Sequence, residues 1–119
     1  MNNTSLVLKL EWGNASFLLT GDIEVEAEQA LVRSGADVSA TVLKVAHHGS
    51  RSPSTTAFLQ AVQPAIAVVS VGEDNPFGHP SSVVLERLSA ALVYRTDLHG
   101  TVRISTDGER LWVEPQRTP

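Results

Sequence analysis

The chain is 119 residues long, 42% hydrophobic and 18% charged, close to the averages of a soluble folded domain. That length suits one unit with a core of moderate size, residues 1–119, and the composition argues against disorder. A net charge of −4, from nine Lys and Arg against thirteen Asp and Glu, argues against a protein that holds nucleic acid by bulk phosphate neutralisation alone. A local basic groove stays compatible with it, although the basic residues are scattered from Arg33 to Arg117 beyond Lys9 with no run that marks a binding arm.

Cysteine is absent, which removes a disulfide framework and thiolate metal sites, so any metal must be held by His, Asp or Glu. The longest apolar run, Ala65-Ile66-Ala67-Val68-Val69, is strand-sized and far below the roughly 20 residues of a membrane helix. The opening Met1-Asn2-Asn3-Thr4-Ser5 lacks the charged and apolar regions of a signal peptide.

In chain order, Leu6, Leu8, Leu10 and Trp12 alternate with Ser5, Val7, Lys9 and Glu11, the pattern of a half-buried strand. Gly13-Asn14 reads as a hairpin turn, with Ser16 to Leu19 as the return strand, and the pair ends in Thr20-Gly21-Asp22. A helix is expected next, with Ile23, Ala27, Ala30 and Leu31 on one face, Glu24, Glu26 and Glu28 elsewhere, and Gly35 as its stop. Thr41 to Ala46 reads as a strand that runs into His47-His48-Gly49-Ser50. Pro53 after Ser52 suits a helix start, Phe58, Leu59 and Val62 supply the apolar face, and Pro64 ends it.

Ala65 to Val71 is a continuous apolar strand, typical of a sheet covered on both faces. The loop from Gly72 to Pro80 leads into a third helix carrying Val84, Leu85, Leu88 and Leu92. Three short strands, Val93 to Arg95, Thr101 to Ser105 and Arg110 to Val113, close the chain, with turns at His99-Gly100 and Asp107-Gly108. Hairpin, then βαβαβ, then a β-rich tail predicts an α/β sandwich.

Three polar loops each follow an apolar strand and precede a helix: Gly21-Asp22, His47 to Ser50, and Asn75 to Pro80. Ligands of α/β sheets bind at the carboxyl ends of strands. If the strands lie side by side, Asp22, His47 or His48, and His79 converge on one edge as an N/O donor set suited to Zn, Mn or Fe. Each residue also has a plain structural reading. Asp22 suits a helix N-cap, neighbouring His47 and His48 point to opposite faces of a strand, and His79 could simply open a helix. His99, before a turn glycine, is expected to be exposed and inert. No Gly-x-Ser-x-Gly elbow surrounds Ser50, which argues against a nucleophilic serine.

Thr20-Gly21-Asp22, then Leu43-Lys44-Val45-Ala46-His47-His48-Gly49-Ser50, then Asn75-Pro76-Phe77-Gly78-His79-Pro80 resembles the second half of the metallo-β-lactamase superfamily. Within it the series most resembles the C-terminal domain of the ComEC family, the channel proteins of natural DNA transformation. The opening Asn3 to Leu8 and Ser70-Val71-Gly72 share the likeness, which spans about Asn2 to Ile104.

The resemblance implies an αββα sandwich with a one- or two-metal site at the sheet edge. The family's first-half cluster, His-x-His-x-Asp-His, is absent: the four histidines stand at 47, 48, 79 and 99. Carried over by motif, Asp22 matches the metal-bridging carboxylate and His48 the imidazole ligand of the second metal, with His47 as the substitute in a register shifted by one. His79 resembles a late substrate-side histidine, and Ser50 and Asn75 are expected to line the same pocket. The implied cofactor is a divalent metal, Zn or Mn. The implied activity of the full domain is that of a phosphodiesterase or nuclease on DNA, expected to be single-stranded.

The resemblance further implies attachment to a membrane channel portion of the same protein, with the domain as a soluble part of a bacterial inner-membrane protein. The chain alone is expected to be inactive, because two protein ligands hold a catalytic metal poorly. A sheet made to pack on another sheet is expected to leave an apolar face open and to favour self-association. Two alternatives stand beside the nuclease: a non-catalytic structural or interaction module, and a superfamily hydrolase of another ester such as a lactone or a phosphocholine ester.

Overall fold

A computed structural model describes residues 6–46, 53–72 and 78–118. Strand β1 (Leu8–Trp12) and strand β2 (Ala15–Leu19) form a hairpin in which Trp12 pairs with Ala15 across a two-residue turn. Gly13 opens that turn at φ +58, a conformation that glycine adopts without a steric penalty. Helix α1 (Val25–Arg33) follows, then strand β3 (Val42–Lys44), helix α2 (Thr56–Val62), strand β4 (Ile66–Val69), helix α3 (Ser82–Arg87) and strand β5 (Leu92–Arg95). A one-turn helix α4 (Thr96–His99) separates β5 from the hairpin of β6 (Val102–Thr106) and β7 (Leu111–Pro115). The protein is thus a mixed α/β chain, in the expected element order except for the added turn of helix.

Strands β1 to β5 form one sheet in the order β1-β2-β3-β4-β5. The first pair is antiparallel, and β2 to β5 run parallel, each joined to the next by a helical connection. One row across the sheet, Leu18–Leu43–Ala67–Val93, faces the helices. Leu18, Leu43 and Ala67 are buried there with Ile23, Phe58 and Val84 in the main core. Thr55 caps α2 by accepting the Phe58 N–H at 3.3 Å, and Ser81 caps α3 by accepting that of Val84 at 3.2 Å.

The other face carries the rows Leu8–Leu19–Lys44–Val68–Tyr94 and Leu10–Phe17–Val42–Ile66–Leu92. Val42 and Ile66 in its middle are buried, yet at its margins Leu10 is 53%, Trp12 64% and Leu92 65% exposed. The alternation in β1 is therefore real, and its leucine side is the open one, while Val7 packs against the core.

The β6–β7 hairpin has a half-buried face, with Val102, Ile104, Leu111 and Val113, and an exposed face, with Arg103, Trp112 and Glu114. Its tip meets the first hairpin, where the Asn14 N–H donates to the Gly108 carbonyl at 2.6 Å. The contact is backbone on backbone, and a Cβ at Gly13 would collide with the Gly108 peptide.

Several expectations change. The second helix starts at Thr56 with Thr55 as its N-cap, so Pro53 lies ahead of it rather than at its first position. Leu92 belongs to β5 rather than to the third helix, because pairing with Ile66 captures it. Asp22 lies ahead of the N-cap of α1, which is Glu24. Glu28, assigned by helical periodicity to the outward side, is fully buried, whereas Ala30 is exposed.

Candidate functional site

The parallel register aligns Leu19 of β2 with Lys44 of β3 and Lys44 with Val68 of β4. The three chains leaving this edge are Thr20-Gly21-Asp22, Val45-Ala46 on the way to His47, and Ser70-Val71-Gly72. The carboxyl edge is thus where the three predicted loops emerge. A fourth connection, α4, leaves β5 at the same edge.

Thr20 fixes the first of these exits. Its side chain is fully buried and its hydroxyl donates to the Lys44 carbonyl at 2.6 Å, fastening the end of β2 to the end of β3 just before Asp22. At the far side Thr96 performs the same task for β4. Its hydroxyl donates to the Val71 carbonyl at 2.8 Å and accepts the Val71 N–H at 2.7 Å.

Asp22 is half-buried in the turn that follows. Its charge acts on the Lys44 ammonium, which burial holds below the ordinary lysine range while the Asp22 carboxylate opposes that shift. Lys44 stands on the open face, since its neighbour Leu43 is buried in the helix-side core. The edge therefore presents an anion and a cation within electrostatic range, a pairing that suits a cation bound at the carboxylate and an anionic group beside the ammonium. The sequence reading passed over Lys44, although a single lysine inside Thr41-Val42-Leu43-Lys44-Val45-Ala46 was a visible signal.

His79 is half-buried and precedes Pro80 through a cis peptide bond. His47, His48, Ser50 and Asn75 lie outside the described residues. Among the described residues no three His, Asp or Glu side chains come close enough to hold a metal ion, so Asp22 and His79 by themselves make no metal cage. His99, expected to be exposed, is half-buried, with its Nδ1 3.0 Å from the Arg95 N–H and its ring 5.3 Å from that of Tyr94. The same corner holds a two-pronged ion pair from Arg95 to Asp97, at 3.0 and 2.6 Å. The Arg95 guanidinium lowers the Asp97 carboxyl below the usual carboxylate range.

A groove of about 460 Å³ lies on the helix layer between α2 and α3, lined by Thr56, Gln60, Arg87 and Ala91 among others. None of Asp22, Lys44 or His79 borders it. No helix among the described residues is long and apolar enough to cross a membrane.

No family model matches the chain. Curated proteins do: ComE operon protein 3 of Bacillus subtilis is 43% identical over 104 residues, 86% of this chain and 13% of its own length. Competence protein ComA of Neisseria gonorrhoeae is 39% identical over 105 residues, 86% of the chain and 15% of that protein. Recombination protein 2 of Haemophilus influenzae is 36% identical over 119 residues, 98% of the chain and again 15% of its relative. The chain spans about a seventh of the length of these relatives, and at such identity over nearly the whole chain it is homologous to a segment of each.

Proposed function

We propose that the chain is the second half of a metallo-β-lactamase-type αββα domain of the ComEC family, which serves DNA uptake as a metal-dependent phosphodiesterase or nuclease. Homology to competence proteins supports the uptake role. The observation that carries the chemistry is the paired exit of β2 and β3, which sets Asp22 beside the strand leading to His47 and His48, with the Lys44 ammonium in range of the Asp22 carboxylate. In this reading Asp22 and His48, or His47 in its place, are ligands of Zn or Mn, while His79, Ser50 and Asn75 face the substrate.

A divalent metal, when bound, would lower the pKa of a water and stabilise charge on a phosphoryl oxygen. This chain contributes at most part of the ligand set, and the remaining ligands come from elsewhere in the assembled domain. Lys44 offers a cation to a phosphodiester, which fits a nucleic-acid substrate in spite of the net charge of −4. The substrate is DNA, single-stranded in this reading, delivered by a membrane channel portion of the same protein.

The test is calorimetry with Zn²⁺ and Mn²⁺ on the chain, beside Asp22→Ala and His48→Ala, followed by cleavage assays on a longer protein that carries a His-x-His-x-Asp-His segment. Single-stranded DNA is compared with small lactone and phosphocholine esters. Metal-dependent DNA cleavage lost in both variants supports the reading. Cleavage of the small esters alone replaces it with the other hydrolase, and a longer protein with neither metal binding nor cleavage overturns it. The open leucine face favours one second reading, a non-catalytic interaction module, because an apolar surface of that kind is built to be covered.

A further inference from the structure

Glu28 is the most deeply buried charged residue among those described, at 0% exposure, and nothing in the reading above uses it. It lies in α1, the helix that follows Asp22. One carboxylate oxygen accepts the Ser54 N–H and the other accepts the Thr55 N–H at 3.0 Å. Both amides belong to the segment that returns from the His47–Ser52 stretch and enters α2. Ser54 is itself buried and stands at φ +59, in the left-handed region, where a non-glycine residue persists only when its surroundings hold it. Arg87 of α3, the helix that follows His79, reaches the Ser54 carbonyl from the other side at 3.5 Å and adds a favourable charge to Glu28.

The three helices that meet at this carboxylate are the three that follow the three candidate loops. A surface helix needs no such joint: burying a carboxylate is unfavourable unless it is bonded and compensated. Burial pushes the Glu28 carboxyl up while the Ser54 and Thr55 bonds and Arg87 pull it down. The expense falls on one point of the molecule, where the backbone leaving the second loop is tied to the helix leaving the first.

We propose that Glu28 is a positioning residue, which sets the Asp22 loop, the exit of the His47–Ser50 segment and the His79 loop in fixed relation by clamping the Ser54–Thr55 backbone. The proposal rests on the reading of that edge as a metal site, yet its geometric part can be tested without metal. Glu28 touches no ligand in this scheme and acts only through other residues.

The experiment compares the wild-type chain, Glu28→Gln and Ile66→Ala, the last a cut of a buried side chain at the amino end of β4, away from the carboxyl edge, that serves as a control for lost stability. The glutamine keeps the size of the side chain, but its amide nitrogen meets an N–H where an acceptor is needed. Two readouts are taken: the backbone amide NMR shifts of Gly21, Asp22, Gly78 and His79 in the chain, and affinity for Mn²⁺ by calorimetry on a longer protein that carries a His-x-His-x-Asp-His segment and the same substitutions. The expected result is that Glu28→Gln moves the shifts of both loops and weakens Mn²⁺ binding by about tenfold or more, the range for groups that orient metal ligands. Ile66→Ala leaves both unchanged. Loop shifts that stay in place in Glu28→Gln, or that move equally in the two variants, overturn the positioning role. A longer protein that binds no Mn²⁺, while the loop shifts of Glu28→Gln still move, retains the joint and refutes the metal site.

Discussion

Replacing Thr20 with valine keeps the shape of a fully buried side chain and removes one donor, the hydroxyl bonded to the Lys44 carbonyl at 2.6 Å. The variant withdraws a partner from a shielded carbonyl, a penalty of about 1–3 kcal/mol. The added methyl recovers about 0.8 kcal/mol. The expected net loss is about 1 kcal/mol, set against a total stability of roughly 5–15 kcal/mol, so the protein remains folded. With a urea slope of about 1–2 kcal/mol/M for a chain of this size, the midpoint falls by about 1 M. Thr20→Ser is the control, since it keeps the donor and loses only a methyl. The Lys44 carbonyl carbon shift, read by NMR, is expected to move in the valine variant and stay in the serine one. A valine variant with the wild-type midpoint and an unmoved Lys44 carbonyl would refute the claim that this hydroxyl ties the two strand ends together.

Gly13→Ala forces a Cβ onto the Gly108 peptide at a residue with φ +58, and is expected to cost about 1–3 kcal/mol in a urea titration. Gly35→Ala, at φ +76 with open space around it, should cost only about 1 kcal/mol, and equal losses at the two sites would contradict the docking of the hairpins. Leu10→Glu places a charge on the open face, where Leu10 is 53% exposed. If the chain self-associates through that face, sedimentation at rising concentration will show oligomers in wild type and monomer in the variant; oligomers in both would exclude the leucine face as the contact. The Asp97 carboxyl lies below its ordinary 3.8 through the Arg95 bonds. The stability it contributes is therefore complete above about pH 4 and lost as pH falls through the lowered value, so Asp97→Asn should flatten the acid limb of stability against pH. An unchanged limb would show the pair to be inert.

The parts of the fold written in local pattern were legible. Val62 follows Phe58 and Leu59 by one helical turn and the three are buried together, and Gly35 does stop α1. The strand ends that carry the loops were found because an apolar run breaking into Gly-Asp or His-His needs no tertiary knowledge. Glu28 was missed for the opposite reason, since its partners Ser54 and Thr55 are 26 and 27 residues away. Leu92 continued the helical spacing of Leu88, and only its pairing with Ile66 in β5 identifies it as a strand residue. For His99 the turn at Gly100 was read correctly at φ +69, but the one-turn helix before it brings the ring Nδ1 back to the Arg95 backbone, where it accepts the Arg95 N–H at 3.0 Å.

The order of strands in the large sheet is the order of the chain, and the intervals between parallel neighbours are nearly equal: Leu18 to Leu43, Leu43 to Ala67 and Ala67 to Val93. Each step of assembly therefore closes a loop of similar length, at a similar entropic cost, onto an edge that the previous step has just created. A chain emerging from the ribosome can build this sheet in the order in which it is made, with the Asp22 exit in place before β4 exists. The last hairpin breaks the sequence of neighbours. Through the bond from Asn14 to Gly108 the turn between β6 and β7 returns to the turn between β1 and β2, so this clasp forms only after the β6–β7 turn has been made.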